Sequence, residues 1–222
     1  MNPALAVIGV VVLAGAVVAV AAREGRVTVL GLVLALVAAP LVASPFPGVL
    51  PLAARLVAAI LTGYLLWIAV RAAPAHARTQ GSRLGWPVEA LVAGAAAAVG
   101  FGLGGAGTGG VPEATAMGLA LVALAIPPLV RGDALQVGTG ALLLVTSVAV
   151  LRVGFAGPAP PLEHVVVSGL LVSVAAAVAM LVDSAVATGE SLELGGRGPG
   201  AARPPDQGTE VARPWYRPRI RR

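Results

Sequence analysis

The sequence predicts an all-α protein, a polytopic bundle of about seven transmembrane helices with the N-terminus outside and the C-terminus inside. Three observations predict it. The 222 residues are 58% hydrophobic and 11% charged, too few charges to coat a water-soluble domain of this length. Apolar runs of about 20 residues, the length that crosses a hydrocarbon core, recur from end to end. The basic residues then fall in alternate loops, as the positive-inside rule requires of a multi-span chain.

The runs are expected near residues 3–22, 27–44, 51–70, 87–106, 112–130, 133–151 and 162–182. The first resembles a signal peptide, and Ala19-Val20-Ala21 imitates a cleavage site. Only Met-Asn-Pro precedes it, however, and a signal peptide needs a positive leader, so a retained helix is expected. The second run carries Pro40 near its end, and Pro45, Pro47, Gly48 and Pro51 make an uncharged turn. Pro51 suits the first position of the third helix. Arg55 lies one turn in, where its long side chain is expected to snorkel to the interface. A basic linker with Arg71, Arg78 and Arg83 leads to Pro87 and the fourth run. Pro127-Pro128 is expected to interrupt the fifth near its end. The membrane domain is placed at 1–183, and 184–222, rich in Gly, Pro and Arg, is expected to be a disordered basic cytoplasmic tail.

All 15 basic residues are arginine. With seven spans and the N-terminus outside, 13 of them fall inside: Arg23, Arg26, Arg71, Arg78, Arg83, Arg131 and the seven from Arg197 onward. Only Arg55 and Arg152 fall outside. Trp67 and Trp86 then sit at the inner interface, where an aromatic belt belongs. The expected location is an inner or plasma membrane, multi-pass. A coarse symmetry also appears: helices one to three and five to seven share a pattern and an orientation, with helix four between them.

Residues 100–110 contain seven glycines, and Gly102-Leu-Gly104-Gly-Ala-Gly107 spells a dinucleotide-binding pattern. That pattern needs a preceding strand, a soluble βαβ unit and a later acidic partner. Here apolar helices flank it, so it reads as the outer end of helix four and the turn into helix five. Gly102 and Gly104 are expected to serve helix packing, as are Gly169 and Ser173 on a small-residue face of helix seven.

Candidates for chemistry are few. Without cysteine there is no disulfide or thiolate metal site, and His76 and His164 are far apart in the sequence. No cofactor, metal or catalytic residue is expected. Glu89, Glu113, Asp133 and Glu163 all fall in or beside first turns, where carboxylates cap free N–H groups, and Gln136 completes a capping-box-like pair with Asp133. No carboxylate is placed at mid-membrane. Thr62, Tyr64, Thr139, Thr146, Ser147, Ser168 and Ser173 read as hydrogen-bonding glue within or between helices. On the outside, Glu113, Arg152, Glu163 and His164 form a candidate polar cluster, read as interfacial ion pairs rather than a catalytic site. The arginine-rich tail, with Trp215 and Tyr216, is either solvated or drawn to anionic lipid. Nucleic acid is not an expected partner, since no folded reading surface accompanies the charge.

From helix five onward a further pattern emerges. An Arg-bearing loop (Arg131-Gly-Asp) leads to Val137-Gly-Thr-Gly-Ala-Leu-Leu-Leu, a proline-rich turn, Pro161-Leu-Glu-His and a small-residue helix. This resembles the three-helix K subunit of respiratory complex I. The length and seven-helix layout are similar to hydrogenase-4 component E, and Arg55 followed by Leu-Val-Ala-Ala-Ile-Leu-Thr-Gly-Tyr resembles the third helix of that family. The resemblance implies a subunit of a hydrogenase-4 or NADH-quinone oxidoreductase-like membrane arm, with antiporter-like subunits as partners. The K-type glutamates tied to proton passage align near Gly140 and Ser173, which cannot take a proton, so the resemblance implies scaffold without relay. The other reading is a small transporter or permease-like protein, which would need a polar site at the midplane.

Overall fold

A computed structural model describes residues 3–22, 24–42, 48–72, 86–105, 111–130 and 133–188. The helices are α1 (Pro3–Ala21), α2 (Gly25–Ala38), α3 (Val49–Ala72), α4 (Trp86–Gly105), α5 (Pro112–Val130), α6 (Ala134–Ala156) and α7 (Pro161–Thr188), with a 3₁₀ turn at Ala39–Val42 after α2. Among the described residues there is no strand. The protein is thus an all-α, multi-pass transmembrane bundle. Six helices are long and apolar enough to cross a membrane, and the apolar stretch of α4, Pro87–Leu103, is shorter. The linker 73–85, the glycines at 107, 109 and 110, and the tail from 189 onward lie outside the described residues.

Local chemistry explains the boundaries. Proline opens α5 and α7, where its missing N–H is no loss. Asp133 caps α6, its Oδ1 accepting from the Leu135 N–H at 3.3 Å. Gly157 closes α6 at φ 80°, a conformation costly for any residue with a Cβ. The second helix stops as an α-helix at Ala38 because Pro40 has no N–H to return to Leu36, and the chain tightens into the 3₁₀ turn.

Four expectations are corrected. Pro51 is the third residue of α3, not the first, which is still within the turn whose N–H groups need no helical partner. Pro127 and Pro128 do not interrupt α5, which continues to Val130. They fall in its last turn, so only the Ala123 and Leu124 carbonyls lose an amide partner. The sixth helix runs to Ala156, past Leu151. The seventh runs through Ser184 to Thr188, where Ala185 and Ala187 favour helix and the Ser184 hydroxyl bonds back to the Leu181 carbonyl at 2.9 Å.

Alternating helix directions give the bundle two ends. At one, Arg26 at the start of α2 and Arg71 at the end of α3 each lie 6.0 Å from the ring centre of Trp67, two cation–π contacts that tie the turn between α1 and α2 to α3. At the other end, the Val111 N–H donates to the Gly154 carbonyl at 3.0 Å, joining the entry of α5 to the exit of α6. Large apolar side chains such as Val10, Leu30, Val57, Ile60, Val148, Val166 and Met180 point outward, toward lipid. Leu32, Leu66, Leu121, Leu124, Leu142 and Leu143 fill the interior.

The packing is that of two like triplets. The first, α1–α2–α3, and the second, α5–α6–α7, meet where α3 lies along α7 and α1 touches α5, while α4 covers α5. Pro3 and Pro112, Gly9 and Gly118, Glu24 and Asp133, and Gly31 and Gly140 recur at one constant spacing. Two of these pairs carry the same geometry. A methyl on Gly31 would lie 2.7 Å from the Gly15 carbonyl oxygen and 2.7 Å from the Ala19 nitrogen. A methyl on Gly140 would lie 2.8 Å from the Ala125 oxygen and 3.1 Å from the Leu129 nitrogen. In each triplet, a glycine of the second helix thus sits on one turn of the first helix's backbone, the close approach that small residues permit in lipid.

Candidate functional site

The polar site lies where the triplets meet. Arg55 is the seventh residue of α3, about 9 Å along the axis from the helix start at 1.5 Å per residue. It does not snorkel outward as expected. It is 6% exposed and shares the buried stripe of Ala58, Ala59, Thr62, Gly63, Leu66 and Ala69. These positions recur at helical spacing, so the register of α3 turns Arg55 inward. Its Nε and Nη1 are buried with no hydrogen-bond acceptor among the described residues.

Arg55 lines a small cavity of about 20 Å³. The walls are Ala39, Pro40 and Val42 of the 3₁₀ turn, Ala114 of α5, Ala149, Val150 and Val153 of α6, Ala159, and Glu163, His164 and Val167 of α7. A water needs about 10–15 Å³ measured in this way, so the space admits little more than one single-atom occupant. His164 is buried, and its backbone carbonyl accepts from the Ser168 hydroxyl at 2.7 Å. Glu163 Oε2 lies 2.9 Å from Arg152 Nε, and Arg152 also donates through Nη1 to the Gly157 carbonyl at 2.8 Å. Arg152 therefore ties the exit of α6, its capping glycine and the entry of α7 together.

Of the four candidates for an outward polar cluster, the structure brings together three. Arg152 and Glu163 form an ion pair, and Glu163 and His164 share the cavity wall. Glu113 is half-buried in the first turn of α5 and does not line the cavity. Arg55 is the member that sequence reasoning missed. The signal that marks it is its helical spacing from Ala59, Thr62 and Leu66. Glu89, expected as a first-turn carboxylate, is buried at 3% exposure in the first turn of α4.

Of the four small residues expected to serve packing, the surroundings of Gly102, Gly169 and Ser173 are described. A methyl on Gly102 or on Gly169 would meet nothing within 4 Å. Ser173 is exposed and donates to the Gly169 carbonyl at 2.8 Å. Gly104 lies in the last turn of α4, outside the residues whose side chains are described. With Ala53, Ala54 and Val57 of α3, Gly169 and Ser173 line a shallow outward groove.

Four of the hydroxyls between the helix ends bond within their own helices. Thr139 donates to Leu135, Thr146 to Leu142, Ser147 to Leu144 and Ser168 to His164, at 2.7–2.9 Å. Thr62 is fully buried with no hydrogen-bond partner for Oγ1 among the described residues, and Tyr64 points outward. Comparison with protein-family models, with characterised proteins and with solved structures yields no match.

Proposed function

We propose that this integral membrane protein is a non-catalytic subunit of the membrane arm of a hydrogenase-4 or NADH-quinone oxidoreductase-like complex. It serves helix packing and assembly beside an antiporter-like subunit, with its N-terminus outside and its basic tail inside an inner or plasma membrane. One observation carries the reading. Thr139, Thr146 and Ser147 of α6 bond to carbonyls of their own helix, and Thr62 of α3 is the one buried hydroxyl without a partner among the described residues. With their protons spent on backbone carbonyls, the α6 hydroxyls offer little to a solute at mid-membrane, where a transporter would need a polar site. The open face of α7 supports the same reading. Only 28% of its span is buried in the bundle, and Gly169 and Ser173 leave room there for the close approach of another membrane helix.

A small transporter is the second reading, favoured by one feature: a polar cavity at the junction of two like triplets, the place where repeat-built transporters hold their ligands. The narrowness of the cavity counts against a large solute. Affinity purification of the tagged chain from its native membrane tests the proposal. Co-purification in fixed ratio with another multi-pass, antiporter-like subunit is the expected result. Recovery of a lone, stable chain with a bound solute would overturn it in favour of the transporter.

A further inference from the structure

The charges around the cavity do not balance. Arg55 and Glu163 share the cavity wall, and Arg152, outside that wall, pairs with the same Glu163. Arg152 already holds that carboxylate at 2.9 Å. Arg55 is left buried, with Nε and Nη1 lacking any acceptor among the described residues. A charge taken out of water is stable only when it is paired and hydrogen-bonded. The imidazole of His164 adds no negative charge. We propose that the cavity is a binding site for one small monovalent anion of the halide class, chloride being the abundant example, held by Arg55 at the junction of the two triplets.

Size selects the ligand class. The space that a water-sized sphere can enter is about 20 Å³, which suits a single-atom ion better than a phosphate or a sulfate. The rest of the wall is apolar, chiefly alanine and valine, which holds the local dielectric low and strengthens the attraction of a guanidinium for an anion. A cation is disfavoured by the buried guanidinium of Arg55 on the wall. The site is asymmetric within the repeat. Arg55 comes from α3 of one triplet and Glu163 and His164 from α7 of the other, so a bound anion would fasten the triplets together. The inference does not depend on the proposed membership of a larger complex.

The test uses the purified full-length chain in lipid nanodiscs, with chloride titrated against gluconate at constant ionic strength. Thermal unfolding is followed by tryptophan fluorescence, and binding by ³⁵Cl line broadening. The expected result is a saturable rise in Tm of about 3 °C or more with chloride. Bromide should compete and sulfate should not. Arg55→Leu, which removes the buried charge and keeps apolar bulk, should fold and lose both the Tm response and the broadening. Arg55→Lys should retain a weakened response. Equal Tm in chloride and gluconate without line broadening would mean that only water occupies the cavity, and would overturn the proposal. So would a chloride response that survives Arg55→Leu, or one that sulfate reproduces.

Discussion

Gly31→Ala is the sharpest perturbation of the fold. The added methyl would lie 2.7 Å from the Gly15 oxygen and 2.7 Å from the Ala19 nitrogen. Both are backbone atoms, so no side-chain rotation relieves the contact, and α1 and α2 must separate by several tenths of an ångström or more. Overpacking of this kind costs about 1–3 kcal/mol. Alanine in place of glycine in a helix returns about 1 kcal/mol. The net expectation is a loss of up to about 2 kcal/mol. Gly102→Ala is the matched control, because the same methyl there meets nothing within 4 Å and only the helix gain remains. The two variants should therefore differ by about 1–3 kcal/mol, or roughly 2–4 °C in Tm for each kcal/mol at this chain length. Thermal unfolding of both in the same nanodiscs reads the difference directly. If Gly31→Ala proves as stable as Gly102→Ala, the backbone-on-backbone crossing in the first triplet is wrong.

Four further expectations follow from named contacts. Trp67→Leu removes both cation–π contacts, with Arg26 and Arg71, and should lower stability by about 1–2 kcal/mol in thermal unfolding. Asp133→Ala deletes the cap on α6 and should cost about 1 kcal/mol, with Asp133→Asn largely restoring it. Arg152→Gln breaks a partly exposed ion pair and should cost no more than about 1 kcal/mol, since Glu163 then remains for Arg55. Glu163→Gln should cost more than Arg152→Gln in the same assay, because it removes the one carboxylate on the cavity wall.

Much of the fold was legible in the sequence. Seven apolar runs map onto seven helices, and Pro112, Asp133 and Pro161 mark starts through the chemistry of the first turn. Which face of each helix turns inward was less legible, for a physical reason. Helices that are apolar all round, such as α1 and α6, carry no amphipathic signal, because lipid and interior are equally apolar solvents. Glycines on such helices cannot be ranked by pattern. Gly31 and Gly140 prove to be crossing points, whereas Gly102 and Gly169 face outward. Arg55 is the exception, since a lone charge does break the pattern. Its spacing from Thr62 and Leu66 points inward, against the general tendency of arginine to reach for the interface. Where the helices end depended on short-range competition. Pro127 and Pro128 were absorbed because they fall in a last turn, and α7 outran residue 182 because Ala185 and Ala187 continue it.

The central claim is that α7 offers its small-residue face to another subunit. The chain has no cysteine, so a single Gly169→Cys substitution gives a unique thiol on that face. A maleimide-linked benzophenone attached to that thiol and photolysed in the native membrane should join the chain to a different multi-pass protein in high yield, while the same label on Val10→Cys, on the outward face of α1, should not. Equal, low-yield cross-linking from both positions, or reaction with lipid alone, would contradict the account.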